Sequence, residues 1–180
     1  MRISLKEIIK ADLYRYEGAK TKKQMLKAYL TEAGANYMVW FRIAQRYNNI
    51  FTKFILKRKM YKYGIEIFPQ TQIDKGFYIG HFGTIVVNPL AKIGKNCNIS
   101  HGVTIGASQR GEKSGAPTIG DNVFIGPGAK IFGDIKIGDN VAIGANAVVI
   151  KDVPSGSLVG GIPAKIISDE GSSGYINHLS

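Results

Sequence analysis

One apolar residue in every six constrains this chain more than any other feature. Thirteen hexads can be laid out from about Ile67, and from Ile119 the spacing is strict: Ile119, Ile125, Ile131, Ile137, Ile143 and Val149. Gly120, Gly126, Gly138 and Gly144 directly follow four of these residues. Small or β-branched residues stand four places on, at Val123, Ala129, Ile135, Val141, Ala147 and Val153. A short fixed period marks a solenoid. Residues so spaced build no separate core, but they can line a coil in which each hexad is one flat side. Three sides close a triangular turn of about eighteen residues, and turns stack at ~4.8 Å. The glycines, and polar pairs such as Asp121–Asn122 and Asp139–Asn140, are expected at the corners, where positive φ costs Gly nothing and Asn or Asp little. Ordinary alternating strands would show period two instead.

The pattern also runs backward, less cleanly. Ile67, Ile73, Ile79 and Ile85 form one block, and Val87, Ile93, Ile99 and Ile105 a second, displaced by two residues. From Gly106 to Thr118 the repeat stops in a polar, Gly-rich stretch, which predicts a loop protruding from the coil. Loops on a rigid scaffold are where function concentrates.

The chain of 180 residues has no apolar run of eighteen and no signal-peptide pattern, and Met1–Lys10 is charged and amphipathic. Its one cysteine, Cys97, occupies the inward fifth position of the Ile93 hexad, so a packed core thiol is expected rather than a nucleophile. This cysteine usage predicts a cytoplasmic protein.

Charge divides the chain. Residues 1–63 hold fifteen of the 24 Lys and Arg but four of the 13 Asp and Glu, a net +11, whereas the remainder holds nine of each sign. This basic region reads as helices. Leu5–Tyr16 and Thr21–Thr31 are amphipathic, and Asn36–Tyr61 is a longer segment with a candidate break at Asn48–Asn49. Its apolar faces can pack on each other, on the coil or on a neighbouring subunit. Alternatively, aromatic residues among many cations suit a membrane surface, or an anionic substrate. No nucleic-acid motif accompanies the charge, so nucleic acid is not an expected partner. The expected organisation is a basic α-helical region over 1–63, a coil over 64–168 with its loop at 106–118, and a flexible Gly- and Ser-rich tail over 169–180.

His178 falls in that tail. The other two histidines hold the same outward place in their hexads, as Ile79-Gly80-His81 and Ile99-Ser100-His101. They are twenty residues apart, one turn plus the two-residue displacement. If that displacement is a local bulge, the two rings stack on adjacent turns. Outward imidazoles can serve as general bases. They can equally be surface residues without a role. A metal site would need a third ligand that the spacing does not offer, so none is expected.

The segment Tyr63–Ser168 resembles the left-handed parallel β-helix acyltransferases of the hexapeptide-repeat class. Within that class it is similar to the serine acetyltransferases and the related O-acetyltransferases of polysaccharide biosynthesis. The matching pieces are Gly64-Ile65-Glu66-Ile67-Phe68-Pro69, His81, Val103-Thr104-Ile105-Gly106, Ile125–Lys130, Ile143–Val149, Lys151-Asp152-Val153-Pro154 and Gly161-Ile162-Pro163-Ala164-Lys165-Ile166. The resemblance implies an acetyl-CoA-dependent O-acetyltransferase working as a homotrimer, with its site between two subunits. It implies His81 as the general base. Glu66 stands where the serine enzymes carry an Asp that orients the base. Backbone N–H groups near Gly106 would meet the oxyanion. Coenzyme contacts would come from Gly106, Ala107, Gly126 and Ala145 along the pantetheine arm, and from Lys151 and Lys165 at the phosphates.

The chain also departs from the serine enzymes. Those place an Asp before the catalytic His, where this chain has Gly80, and an Arg–His pair before the loop proline, where it has Gly115 and Ala116. Their long helical N-terminal domain has no obvious counterpart. These departures predict a different acceptor, a sugar in capsule or exopolysaccharide biosynthesis, with His101 as a candidate acceptor-binding residue. Serine acetylation is the alternative, and a non-catalytic scaffolding coil the alternative from another class. The expected localisation is cytoplasmic, with the basic helices as a candidate peripheral contact at the inner face of the membrane.

Overall fold

In the computed structural model, which describes residues 3–180, four helices lead into a parallel β-solenoid of short strands. The helices are α1 (Leu5–Tyr14), α2 (Lys22–Thr31), α3 (Ala33–Tyr47) and α4 (Ile50–Tyr63). Reciprocal caps open the first two, Ser4 with Glu7 and Thr21 with Gln24, each satisfying amide donors that a helix start leaves bare. The expected break at Asn48–Asn49 is present. Asn48 ends α3 in the left-handed conformation, and Asn49 opens α4 by accepting the Thr52 N–H.

Three sheets form the sides of the coil. The first stacks β1 (Ile65–Ile67), β4 (Ile85–Val87), β7 (Thr104–Gly106), β10 (Lys130–Phe132) and β13 (Val148–Val149). The second stacks β2 (Gln72–Ile73), β5 (Lys92–Ile93), β8 (Thr118–Ile119) and β11 (Lys136–Ile137). The third stacks β3 (Tyr78–Ile79), β6 (Asn98–Ile99), β9 (Phe124–Ile125), β12 (Ala142–Ile143), β14 (Leu158–Gly160) and β15 (Lys165–Ser168), the last antiparallel to its neighbour. Register explains the period. Ile67, Val87, Ile105, Ile131 and Val149 stand one above another in the first sheet, and Ile79, Ile99, Ile125 and Ile143 in the third. All are buried.

The corners correct one expectation. The glycines that follow the hexad isoleucines, such as Gly120 and Gly126, do not have positive φ. They are required because a Cβ would strike the next turn: at Gly126 it would lie 2.7 Å from the Ile143 carbonyl and 2.9 Å from the Ala145 nitrogen. Positive φ falls two places later, to the asparagines Asn96, Asn122, Asn140 and Asn146 and to the glycines Gly76, Gly102, Gly128 and Gly156.

The helical region has a small core of its own around Leu13, Tyr16, Ala28 and Ala35, and otherwise packs on the coil. Tyr37, Met38, Phe41, Ala44 and Leu56 join the cluster that fills the coil through to Val159. The Tyr37 hydroxyl donates to the Ile67 carbonyl at 2.7 Å and accepts the Ile67 N–H at 3.2 Å. Buried Arg42 donates to Asp12 at 2.8 Å and to the carbonyls of Ile73 and Asp74 at 2.6 Å each. The helices thus close the open end of the first turn, where a solenoid would otherwise expose its apolar lining.

The tail expected to be flexible is instead docked. Residues 169–180 run back beside the third sheet. Tyr175 stacks on Phe124 with ring centroids 4.6 Å apart, Asn98 donates to the Tyr175 carbonyl at 3.1 Å, and Arg15 donates to that of Asn177 at 2.9 Å. Composition favoured mobility, but side chains of the coil and α1 satisfy the tail's backbone.

Candidate active site

The paired register of β3 and β6 places His81 and His101 alike, two residues beyond Ile79 and Ile99. Their rings meet edge to face with centroids 5.9 Å apart, and both side chains are exposed. The two-residue displacement is a bulge in the corner that carries His81: Gly83 and Thr84 both take positive φ there. The same place in the later turns belongs to Pro127 and Ala145, two beyond Ile125 and Ile143. His81, His101 and Ala145 therefore lie on one line parallel to the coil axis.

The other residues singled out from sequence lie elsewhere. Ala107 and Lys151 each stand two residues past the first-sheet residues Ile105 and Val149, at the opposite edge of that sheet from His81. A three-residue strand rising ~3.3 Å per residue separates the two edges by about 10 Å. Lys165 is exposed on the terminal hairpin. Gly106 is kept small by the Phe132 ring, which occupies the space a Cβ would fill. Gly126 is kept small by the turn above it, and its N–H is spent on the Ile143 carbonyl at 2.8 Å.

Glu66 faces outward from the first sheet, which the histidine corner borders. It lines a groove of about 710 Å³ between α4 and that sheet, together with Leu56, Met60, Tyr61, Pro69 and Val86. Among the described residues no hydrogen bond joins Glu66 to His81.

Lys130 is a further charged residue at this corner. It projects from the outer face of β10, and its ammonium donates to the Gly102 carbonyl at 2.5 Å and the Thr104 hydroxyl at 3.1 Å. That sets a cation next to His101. Its only sequence signal is a Lys directly before a hexad isoleucine, a place Lys92 and Lys136 also fill. Which of them reaches the histidine corner depends on which sheet each belongs to.

The loop is a small hairpin. Ser108 and Gly115 exchange backbone hydrogen bonds at 2.9 and 3.0 Å, and Lys113 contacts Asp152 of the coil at 3.2 Å. The Lys136 N–H, and then Lys113, hold the Asp152 carboxyl below its ordinary range. Gly115 has φ +138°, and a Cβ there would lie 2.9 Å from that of Asp134. Any residue with a Cβ is strained in this loop conformation. Cys97 is fully buried, donates to the Gly120 carbonyl at 3.2 Å, and burial pushes its thiol up to about 12, so it is no nucleophile.

A coil of stacked hexads with a histidine in a solvent-facing corner is the arrangement expected of a hexapeptide-repeat acyltransferase. The family model for the bacterial transferase hexapeptide (six repeats) matches residues 116–151. The serine acetyltransferase of Staphylococcus xylosus is 35% identical over 154 residues, which is 85% of this chain and 71% of that one. The Staphylococcus aureus (strain Mu50) enzyme is 37% identical over 108 residues, and the match spans about half (51%) of its length. Among solved structures, serine acetyltransferase from Neisseria gonorrhoeae in complex with serine superposes with a TM-score of 0.78 at 32% identity, over 91% of this chain and 69% of that one. Serine acetyltransferase from Brucella abortus in complex with coenzyme A gives 0.79 at 28%, over 92% and 68%. The chain belongs to the serine acetyltransferase family.

This corrects the expected sugar acceptor. That expectation rests on the missing charges and on a helical N-terminal domain without a counterpart. A match over 91% of the chain leaves about sixteen residues outside it, so most of residues 1–63 belong to the shared fold. The missing charges at Gly80, Gly115 and Ala116 are real, but they are local changes within a serine acetyltransferase frame.

Proposed function

We propose that this chain transfers the acetyl group of acetyl-CoA to the hydroxyl of L-serine. The observation that carries the reading is the 35% identity to a serine acetyltransferase over 85% of the chain, with His81 free in a solvent-facing corner. The structural relatives bound to serine and to coenzyme A support the two substrates.

In this reading His81 takes the proton of the serine hydroxyl as its oxygen attacks the thioester carbonyl. The tetrahedral oxyanion collapses, the C–S bond breaks, and the proton passes from the imidazolium to the departing thiolate of coenzyme A. Glu66, facing out from the adjoining sheet, stabilises the imidazolium when the site closes, since catalytic hydrogen bonds tighten in the complex. Lys130 supplies positive charge toward the serine carboxylate and His101 a hydrogen bond, in place of the groups lost at Gly115 and Ala116. The pantetheine arm lies along the coil past Ala145, with Ala107, Lys151 and Lys165 as further coenzyme contacts. His81 and Lys151 stand at opposite edges of one sheet. A second copy that sets its loop edge against this histidine corner would complete the site, which supports a homotrimer.

Free thiol release from acetyl-CoA measures the reaction. L-serine should be turned over, and His81→Ala should lower kcat at least ~10²-fold. No turnover of L-serine at millimolar concentration, with a folded protein and a panel of other hydroxyl compounds alongside, would overturn the acceptor assignment. A His81→Ala rate within about tenfold of wild type would remove the general base.

A further inference from the structure

Helix α4 is apolar on two opposite faces. The inner one, with Thr52 and Leu56 buried and Met60 and Tyr63 against the core, holds it to the molecule. The outer one has no partner: Ile50 is 88% exposed, Phe51 66%, Phe54 59% and Tyr61 77%. At 100° per residue, Ile50, Phe54 and Tyr61 fall within a stripe about 40° wide. Lys53 and Lys57 flank it on one side, and Arg58 and Lys62 on the other; all four are exposed. Lys57 lies 5.9 Å from the Tyr61 ring, and Arg58 5.9 Å from that of Phe54. The sequence has no Asp or Glu between Glu32 and Glu66, and among the described residues none of these four cations forms an ion pair.

We propose that the outer face of α4 docks on an anionic lipid bilayer, lying in the plane of the interface. An apolar stripe bordered on both sides by unpaired cations is the arrangement such a surface selects: rings and Ile50 enter the acyl boundary while the cations reach lipid phosphates. The helix is ~21 Å long and needs no spanning segment. A second copy of α4 is a poor occupant, because face-to-face pairing would oppose four cations to four. A nucleic acid would satisfy the cations and leave the apolar stripe in water.

Sedimentation of the full chain with vesicles tests this independently of the acyl acceptor. Binding is expected to vesicles of phosphatidylcholine with about 30% phosphatidylglycerol at low salt. It should fall at least ~10-fold with pure phosphatidylcholine, and again in high salt, where the Debye length is ~3 Å at 1 M. The variant I50S/F54S, which keeps every charge, should lose binding by ~10-fold or more. R58E/K62E should lose it too. Both variants should keep wild-type melting and thiol release, since these side chains face away from core and site. No binding at low salt overturns the proposal. So does equal binding by I50S/F54S, which would reduce the effect to charge adsorption. Binding to duplex DNA that is as tight as to the vesicles and indifferent to I50S/F54S would assign the face to nucleic acid instead.

Discussion

Gly126 and Asn146 occupy neighbouring corners and are small for different reasons. At Gly126 the constraint is space, because backbone atoms of the next turn stand 2.7 and 2.9 Å from where a Cβ would be. Asn146 is exposed, and its constraint is conformation, with φ +56°. Gly126→Ala should therefore destabilise by about 1–3 kcal/mol, the usual cost of overpacking against atoms that cannot turn aside. Asn146→Ala should cost about 1–2 kcal/mol, the left-handed penalty, whereas Asn146→Gly should be nearly neutral. Urea denaturation of the three variants measures both. Equal loss for Asn146→Ala and Asn146→Gly would mean the side chain, not the backbone, matters there. The hexad isoleucines were legible from sequence because burial repeats with the fold. The role of each glycine was not, because period alone does not separate a turn from a close approach.

Breaks in the period were legible at the scale of elements. The stretch that leaves the repeat after Gly106 is a hairpin, and the displacement is a bulge at Gly83 and Thr84 that aligns two histidine rings. What sequence did not show is how such segments are tied down. The tail is held by Arg15, Asn96 and Asn98, and the loop by Asp152, through contacts that span from 39 to 162 residues. The loop contact carries a pH dependence. Asp152 is held below its ordinary value, so the Lys113 contact is present above the usual aspartate range (about 3.9) and is lost as pH falls below it. Asp152→Asn should give the loosened state at neutral pH. Faster hydrogen exchange is expected at amides of residues 108–115, while the melting temperature is unchanged, because the pair is exposed and the Asp134 N–H still reaches the Lys113 carbonyl at 2.8 Å. Unaltered exchange would show that the hairpin's own backbone bonds hold the loop.

Seen whole, the molecule is a coil closed at one end by helices, and the closure depends on a polar device inside an apolar region. Asp12 on α1 accepts from Arg42 on α3 and from the Phe77 N–H of the coil at 3.0 Å. Arg42 in turn caps the Ile73 and Asp74 carbonyls, so three parts of the chain meet on one ion pair. Burial pushes the Asp12 carboxyl above its usual range, although the Arg42 guanidinium and the Phe77 N–H pull it down. A buried ion pair repays the cost of leaving water only when it is fully hydrogen-bonded, so the device is expected to fix how the helices sit more than to add stability. Net charge marks the helices as basic but does not reveal that two of the arginines, Arg15 and Arg42, are buried structural groups. Breaking the pair should be far more harmful than replacing it. Asp12→Ala leaves a buried guanidinium uncompensated and should cost about 3–5 kcal/mol. The double change Asp12→Leu with Arg42→Met removes both charges and should recover more than half of that loss, less what the two carbonyls forfeit. A double-mutant cycle by urea unfolding measures the coupling. If the double variant is at least as unstable as Asp12→Ala alone, the pair is a net source of stability, and the closure rests on electrostatics rather than on the packing of Tyr37, Met38 and Phe41 into the mouth of the coil.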